Sequence, residues 1–339
     1  MRALVYYGPH EMQEKEIDTP RPGLAEVLVK VRAAGICGSD IHGYTGASGR
    51  RASGMVMGHE FAGTVHEVGE GVSELVVGSR VAVNPLIYCG ECAGCRSGNE
   101  QLCRKRKSIG VNMGLAGGFA EFVVAPARNT IPLADAVSFE EGSMAEPLAV
   151  GLRAANVAQP QQGEPLLIIG GGTIGLCTLM VCLLRGASPV FVTDVSEHKR
   201  EMISRLGGTP LDARNTDLTA LGKETTGEGF PKIIDAVAVT ATLKQALPAL
   251  QPGSVLTLVG LATPQVEIGL YDLVPQERTI RSAYAYTAGE YRQAVEMLNS
   301  REVDVRPLLE GGCALAEAPD MFRRMAAGET EAVKVIVEM

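Results

Sequence analysis

The sequence lacks the features that would mark a nucleic-acid-binding or a membrane protein. Its 339 residues carry a formal net charge of −8, whereas binding nucleic acid requires a basic face for the phosphates. Two short basic runs, residues 104–107 and 198–200, indicate solvated surface patches. There is no internal repeat and no low-complexity segment. The remaining composition, 46% apolar and 21% charged, is that of an ordinary globular protein.

Long hydrophobic runs are also missing. The longest, residues 176–184, is well below the roughly 18 residues of a membrane span and contains Thr178. The run Met1–Tyr7 is too short for the apolar region of a signal peptide. We therefore expect a cytoplasmic protein without a membrane partner. In that compartment the eight cysteines indicate metal sites rather than disulfides.

Helical periodicity is scarce before about residue 138. The length of 339 residues predicts two domains, at roughly 100–200 residues each. The first part contains short stretches rich in β-branched residues, separated by Gly and Pro turns. These stretches cover residues 27–33, 61–68, 80–83 and 119–125. Such a pattern predicts a small, barrel-like β domain.

The pattern changes at about residue 163. Apolar strands now alternate with helical stretches, which predicts a parallel sheet covered by helices on both faces. The strands are predicted at residues 165–169, 189–194, 232–237, 254–260 and 279–286, and the helices at 174–184, 196–206 and 242–250. Ser196 is predicted to cap the N-terminus of the helix 196–206, and Gly207 is predicted to end that helix. The last strand, residues 332–338, is expected to return to the first domain.

Four of the cysteines lie close together in the sequence: Cys89, Cys92, Cys95 and Cys103. Four thiolates at this spacing can surround one tetrahedral zinc ion, at about 2.3 Å per sulfur. Because four sulfurs complete the coordination shell, this site is expected to be structural. Disulfides fit a reducing compartment poorly. An iron–sulfur cluster also uses four cysteines, but the spacing matches neither the bacterial nor the plant-type ferredoxin pattern.

A second group of metal-ligating residue types is Cys37, His59 and Glu60, with Ser39 and His42 close behind the cysteine. Zinc binds Cys sulfur, His nitrogen and Glu oxygen, and mixed ligands are typical of a catalytic zinc with an open position. Taken singly, a cysteine such as Cys37 is more often a small buried apolar residue, and a histidine such as His59 is more often structural. Their joint occurrence favours a catalytic zinc site.

A cofactor-binding turn is predicted by the GxGxxG pattern of residues 170–175, which lies between a predicted strand and a predicted helix. Such glycines allow a tight turn, and the helix N-terminus holds a pyrophosphate. Asp194 would accept hydrogen bonds from the adenosine ribose and repel a 2′-phosphate, which favours NAD over NADP, although Lys199 and Arg200 would soften the preference. A glycine cluster that only packs the helix is the alternative. The predicted cofactor-binding residues are Gly170, Gly172, Thr173, Ile174, Gly175, Asp194 and Lys199.

Together these motifs resemble those of the zinc-containing medium-chain dehydrogenase family, over essentially the whole chain. The resemblance implies an α/β protein of two domains. One is a chaperonin-10-like β-barrel catalytic domain, residues 1–149 and 288–339. The other is a Rossmann domain with a doubly wound parallel sheet, residues 150–287. The resemblance also implies two zinc ions per chain, with NAD as the cofactor.

The resemblance assigns Cys37, His59 and Glu60 to the family's catalytic zinc motif and the four clustered cysteines to its structural zinc lobe. It also draws attention to the Glu-Pro-Leu stretch at Glu146, where ethanol-type members carry a Cys. This stretch resembles that of sorbitol and other polyol dehydrogenases and of galactitol-phosphate dehydrogenases. In that branch the carboxylate binds the zinc directly or through water. An ordinary acid at a helix N-terminus is the alternative for Glu146.

Two departures narrow the expected substrate. Bacterial threonine dehydrogenases of this branch typically have an Asp-Pro-Phe stretch where this sequence has Glu146, which disfavours threonine. Mammalian-type sorbitol dehydrogenases have an aromatic residue followed by Arg near the end of the last Rossmann strand. This sequence has Tyr284 and Ala285 there, so a donor for polyol hydroxyls is missing and sorbitol itself is disfavoured.

The function implied by the resemblance is zinc-dependent, NAD-linked, reversible oxidation of a secondary alcohol, a polyol or sugar alcohol, to a ketone by hydride transfer. Zinc would lower the pKa of the substrate hydroxyl. By the resemblance Ser39 would take the hydroxyl proton and His42 would pass it to solvent. A sugar-phosphate or amino-cyclitol dehydrogenase is one alternative, with Arg50 or Arg51 as phosphate contacts, unless they are plain surface arginines. A non-enzymatic NAD-binding sensor is another.

The expected partners are therefore a small alcohol or polyol and other copies of the same chain. Residues 255–286 contain strands that could pair between subunits. A homodimer or homotetramer is expected on that ground.

Overall fold

The computed structural model of the protein describes residues 1–339. Its contacts divide it into two compact units, which we call the first and the second unit. The first unit consists of Met1–Glu146 with Thr287–Met339, and the second of Pro147–Tyr286. No helix in either unit has both the length and the apolar character needed to cross a membrane.

Strands dominate the first part of the chain, and helices and strands alternate in the middle. The opening elements are β1 (Arg2–Gly8), β2 (Glu11–Glu16), β3 (Glu26–Gly35), α1 (Gly38–Tyr44), β4 (Met55–Val56), β5 (Glu60–Val68), β6 (Arg80–Val83), β7 (Leu86–Ile87), α2 (Ala93–Arg96), β8 (Lys107–Ser108), β9 (Phe122–Pro126), β10 (Thr130–Pro132) and α3 (Phe139–Ser143). The middle elements are α4 (Ala145–Ala158), β11 (Leu166–Ile169), α5 (Thr173–Leu184), β12 (Val190–Asp194), α6 (Glu197–Arg205), β13 (Thr209–Asp212), α7 (Leu218–Thr226), β14 (Phe230–Asp235), α8 (Thr240–Ala249), β15 (Leu250–Leu258), α9 (Leu270–Leu273) and β16 (Thr279–Ser282). The chain ends in α10 (Ala288–Asn299), β17 (Leu309–Ala314), α11 (Ala318–Ala326) and β18 (Lys334–Glu338).

The main sheet of the first unit is organised around β3. Its seven strands run in the order β10-β6-β5-β3-β18-β17, with β9 also paired to β3. Every partner of β3 is antiparallel to it. The pairing of β3 with β5 places Gly35 opposite Glu60, and the pairing with β18 places Gly35 opposite Ile336. The end of β3 is therefore the point at which distant parts of the sequence meet.

An aromatic cluster fills part of the core of the first unit. The rings of Phe119 and Phe322 lie edge to face with centroids 5.5 Å apart, and Tyr44 lies 5.6 Å from Phe322. All three side chains are buried. Each contributes roughly 1.5–3 kcal/mol through removal of apolar surface from water. This packing fixes α1, which carries Tyr44, against α11, which carries Phe322.

The second unit contains six parallel strands in the order β13-β12-β11-β14-β15-β16, so the predicted parallel sheet is confirmed. Its central strand β11 is buried at every position, as expected for a sheet covered on both faces. The sequence pattern did not identify β13 or α7. The predicted strand 279–286 is also too long, because β16 ends at Ser282 and Ala285 has a φ of 46°, which is incompatible with an extended strand.

Candidate metal centres and cofactor site

The register of β3 and β5 brings Cys37, His59 and Glu60 together. Cys37 is the N-cap of α1, just after β3, whereas Glu60 is the first residue of β5 and His59 directly precedes it. The three possible ligand atoms lie within 4.8 Å of one another. Gly35 makes this arrangement possible, because a Cβ at that position would overlap Oε2 of Glu60. A thiol, an imidazole and a carboxylate thus converge on one point.

Asp40 is a buried acid behind His59 that the sequence analysis missed. Its Oδ1 lies 3.4 Å from Nδ1 of His59, and its Oδ2 accepts a hydrogen bond of 3.2 Å from the backbone N–H of Cys37. Because Nδ1 faces Asp40, Nε2 is the His59 nitrogen left for a metal. Asp40 is in the first turn of α1, three residues after Cys37. An acid at this short spacing from the cysteine was the signal in the sequence that could have identified it.

Electrostatics keep Asp40 and His59 as a charged pair. Burial alone would raise the pKa of Asp40, but the His59 imidazole and the Arg51 guanidinium outweigh it and hold this pKa below its usual value. Burial would lower the pKa of His59, but Asp40 and Cys37 raise it well above its usual value. Binding of a cation to the imidazole must therefore release a proton.

Lys334 was also missed by the sequence analysis. Its ammonium lies 2.6 Å from Oε2 of Glu60, and it donates a hydrogen bond of 3.1 Å to the carbonyl of Ile36. Lys334 is 2% exposed and Glu60 1%, so this is a buried ion pair. Burial alone would lower the pKa of Lys334, but Glu60 and Cys37 raise it above its usual value. One oxygen of Glu60 is thus held by Lys334, and the other remains available.

Glu146 lies near this group but not within the compact set of three. It is the second residue of α4 and is half-buried. Its charge helps to raise the pKa of Lys334, after the larger contributions of Glu60 and Cys37, and it adds to the effect of burial in raising the pKa of Tyr291. Direct ligation by Glu146 stays a prediction.

The proposed relay residues, Ser39 and His42, lie three residues apart on α1 and therefore on one face of the helix. Both side chains are exposed to solvent. Their position just after Cys37 is what a path from the ligand group to water requires, and their roles stay predictions.

Arg50 and Arg51 differ sharply in exposure, so Arg51 is not a plain surface arginine. Arg50 is exposed, whereas the side chain of Arg51 is 4% exposed and its Nη2 lies 3.6 Å from Oδ1 of Asp40. A buried guanidinium already paired with a carboxylate is poorly placed to bind a substrate phosphate. Arg51 therefore does not support the sugar-phosphate alternative.

The four clustered cysteines form a second possible metal site. Their sulfur atoms lie within 4.8 Å of one another, and three of the separations are 3.5–3.8 Å. Four sulfurs at about 2.3 Å from a tetrahedral centre would lie about 3.8 Å apart. The backbone N–H and the thiol of Cys95 stabilise the Cys92 thiolate and lower its pKa to about 6. All four are free thiols. The donor set and its spacing fit zinc.

The cofactor turn joins β11 to α5. Gly170 has a φ of 98°, which favours glycine, and a Cβ on Gly175 would overlap the Gly170 carbonyl. Gly172 is the N-cap of α5. The first turn is partly exposed at Gly172, Thr173 and Ile174. A helix N-terminus with this close-packed glycine turn fits a pyrophosphate.

Asp194 ends β12 directly beside that turn. Its Oδ2 accepts a hydrogen bond of 2.9 Å from Gly171, and its Oδ1 accepts one of 2.8 Å from Ser196. The carboxylate is thereby held in one orientation at the carboxyl edge of the sheet. Arg200 and Arg214 both donate to the Val195 carbonyl, at 3.0 Å each, so two guanidinium groups flank the acid. Lys199 is half-buried in the first turn of α6.

Known proteins match both parts of the chain. The family model for the alcohol dehydrogenase GroES-like domain matches residues 23–135, and that for the zinc-binding dehydrogenase matches residues 173–300. L-idonate 5-dehydrogenase of Vitis vinifera is 35% identical, with 86% of this chain and 81% of that protein covered. Sorbitol dehydrogenase of Bacillus subtilis (strain 168) is 30% identical, with 99% and 97% covered.

A solved structure from Sinorhizobium meliloti 1021, assigned as a zinc-binding dehydrogenase and bound to NADP, has a TM-score of 0.92 and 28% identity, with 100% and 99% of the chains covered. These matches confirm the resemblance and the fold class inferred from the sequence. The GroES-like model corresponds to the expected chaperonin-10-like domain, and five of the six strands of the parallel sheet, β12 to β16, lie in the part matched by the second model. The chain belongs to the zinc-binding alcohol dehydrogenases, a family of oxidoreductases that act on CH–OH groups.

Proposed function

We propose that the protein catalyses zinc-dependent, NAD-linked oxidation of a secondary alcohol, a polyol or sugar alcohol, to a ketone. The observation that carries this proposal is the convergence of Cys37, His59 and Glu60, in a chain that also contains a separate set of four cysteines. A closed set of four sulfurs suits a structural zinc, which leaves the mixed set for catalysis. The names of the two relatives, an idonate and a sorbitol dehydrogenase, support a polyhydroxylated substrate.

In this proposal Cys37, His59 and Glu60 hold the catalytic zinc, with Glu146 as a direct or water-mediated fourth contact. Zinc supplies positive charge that favours ionisation of the substrate hydroxyl. Ser39 accepts the hydroxyl proton and His42 carries it towards water, a path supported by their exposure on one face of α1. Asp40 holds His59 so that Nε2 faces the zinc. Residues 1–149 and 288–339 act as the catalytic domain, and residues 150–287 bind the cofactor.

We propose NAD as the preferred cofactor because Asp194 would accept hydrogen bonds from a ribose diol and repel a 2′-phosphate. Arg200 and Arg214 oppose that repulsion, so the preference is expected to be moderate. Asp194→Asn should weaken NAD binding at least tenfold and NADP binding much less. Comparison of KM for the two cofactors, in wild type and variant, tests this. Equal changes for both cofactors would show that the ribose is held elsewhere.

A homodimer or homotetramer formed through the second unit is also proposed. Strand β16 is at the edge of the parallel sheet. Apolar side chains are exposed nearby, with Tyr271 92%, Leu270 67% and Val274 65% exposed. An unpaired edge beside such a patch suits a second copy of the same chain. Light scattering should show a dimer or larger for the wild type and a smaller species for Tyr271→Lys.

A cytoplasmic location is proposed from the free thiols, because disulfides are rare in that compartment.

The decisive experiment is a panel of polyols, diols, sugar acids and sugar phosphates with NAD, followed by absorbance of the reduced cofactor, with zinc measured in parallel. Two zinc ions per chain and turnover of a polyol or sugar alcohol are expected. Cys37→Ser should abolish turnover, retain one zinc ion and leave cofactor binding intact. Full activity of Cys37→Ser with one zinc would mean that the catalytic site is elsewhere. A protein that binds NAD without oxidising any alcohol would instead be a sensor.

A further inference from the structure

Arg51 is a buried cation in a segment without regular secondary structure. It lies between α1 and β4, next to the exposed Arg50, yet its side chain is 4% exposed. A long charged side chain is rarely buried in this way unless it is paired. The contacts of Arg51 must therefore account for the burial of its charge.

Those contacts come from three parts of the first unit. Nη2 lies 3.6 Å from Oδ1 of Asp40, Nη1 donates to the carbonyl of Val111 at 3.5 Å, and Nε lies 3.1 Å from the sulfur of Met57. Each contact is long or weak for a hydrogen bond, so none alone explains the burial. The charge complement of Arg51 is the Asp40 carboxylate, which is completely buried.

Helix α1 is shaped to admit the arginine. A Cβ on Gly43 would lie 2.8 Å from Cγ and 2.9 Å from Nε of Arg51, closer than side-chain carbons pack. Glycine inside a helix is unfavourable by about 1 kcal/mol relative to alanine. The absent side chain at Gly43 thus opens the slot through which the guanidinium reaches Asp40.

Asp40 is held from two sides by different groups. The Cys37 N–H binds Oδ2, while Oδ1 lies between Nδ1 of His59 at 3.4 Å and Nη2 of Arg51 at 3.6 Å. A buried ion pair contributes little net stability because desolvation offsets the attraction. Its directional effect remains, because Nδ1 of His59 and Nη2 of Arg51 both approach the same oxygen of the Asp40 carboxylate.

We propose that Arg51 is a positioning residue that holds the Asp40 carboxylate against His59 and so fixes the direction of the imidazole towards Cys37 and Glu60. This inference rests on the proposed function of these residues as the catalytic zinc site. Partners of a metal-binding histidine typically change metal affinity by 10–100-fold when removed. Arg51 acts one contact further out, through Asp40.

The test compares Arg51→Met with Arg50→Met, its exposed neighbour, in the zinc-loaded full chain. Zinc transfer to a chromogenic chelator should show two phases, and the phase from the Cys89–Cys103 lobe is an internal reference. Arg51→Met should speed the other phase about tenfold or more, with the reference phase unchanged. Arg51→Lys should restore part of the difference, and Gly43→Ala should mimic Arg51→Met. Arg50→Met should match wild type.

A second readout distinguishes positioning from general loosening. Replacement of zinc by Co²⁺ should give a visible absorption spectrum that shifts in Arg51→Met and not in Arg50→Met, with an unchanged KM for NAD. Identical release rates and spectra in Arg51→Met, Arg50→Met and wild type would overturn the proposal. If Arg51→Met does not fold, wild-type release from both Arg51→Lys and Gly43→Ala would also overturn it. Failure of the wild type to oxidise any alcohol would refute the proposed reaction, whereas the zinc measurements decide the role of Arg51 independently.

Discussion

Replacement of Lys334 by Met should destabilise the first unit far more than an ordinary lysine substitution. Met has a similar unbranched shape, so the main change is loss of the ammonium 2.6 Å from Oε2 of Glu60. Both partners are at most 2% exposed, and in the zinc-free chain the Glu60 carboxylate would be left buried without a cation. Breaking a buried pair in this way costs about 3–5 kcal/mol. For a unit of about 200 residues, this corresponds to a fall in Tm of roughly 6–20 °C.

The first unit contains a matched control. Lys105 and Glu91 also approach to 2.6 Å, but their side chains are 70% and 68% exposed. An exposed pair contributes about 0–1 kcal/mol because water and salt screen it. Lys105→Met should therefore change the Tm by at most a few degrees. The two variants share the chemical change and the ion-pair distance, so the difference between them measures burial.

Thermal and urea unfolding of the zinc-free forms of wild type, Lys334→Met, Lys105→Met, Glu60→Gln and the double variant Lys334→Met with Glu60→Gln would measure these effects. The neutral amide in the double variant removes the uncompensated charge, so the double variant should be more stable than Lys334→Met. If Lys334→Met loses no more stability than Lys105→Met, the buried-pair reasoning is wrong. If the double variant loses as much stability as Lys334→Met and Glu60→Gln lose together, the unpaired charge is not the cause.

Three further variants test other close contacts. Gly35→Ala should displace Glu60 and release zinc from one site of two, as measured by metal analysis, because the new methyl group would overlap the carboxylate. Gly175→Ala should weaken NAD binding at least tenfold in fluorescence titration while zinc content is unchanged, because its Cβ would overlap the Gly170 carbonyl. Cys103→Ser should lose the other zinc ion and lower the Tm, with retention of both zinc ions as the contrary result.

The sequence predicted the parallel sheet well because its central strands are continuous apolar runs. Strand β13 was missed for a physical reason. It lies at the edge of the sheet and contains only four residues, Thr209–Asp212, none of them fully buried. Helix α1 was missed because Gly38 and Gly43 lower its intrinsic helix propensity. Its formation depends on tertiary contacts, which sequence periodicity does not report.

The candidate site could be predicted only where its residues are close in the sequence. Cys37, His59 and Glu60 follow a recognisable short spacing, whereas Lys334 lies 274 positions from its partner Glu60. Lys334 is the first residue of β18, and a lysine at the start of a strand normally faces solvent. Only the folded structure shows that this lysine is buried, with its ammonium bound to the carbonyl of Ile36 just after β3. Arg51 was hidden in the same way, because an arginine in a loop ordinarily indicates surface.

These two buried cations explain how the first unit tolerates so many acids around one point. With zinc bound, Cys37 would be a thiolate and His59 a neutral imidazole. Cys37, Asp40, Glu60 and Glu146 then contribute four formal negative charges, and Arg51 and Lys334 offset two of them. The remaining formal charge of −2 would be neutralised by one divalent cation. Lys334→Met would leave an excess of negative charge even with zinc bound, which opposes ionisation of a substrate hydroxyl. We therefore expect the pH at which kcat reaches half its maximum to rise in Lys334→Met and to remain unchanged in Lys105→Met.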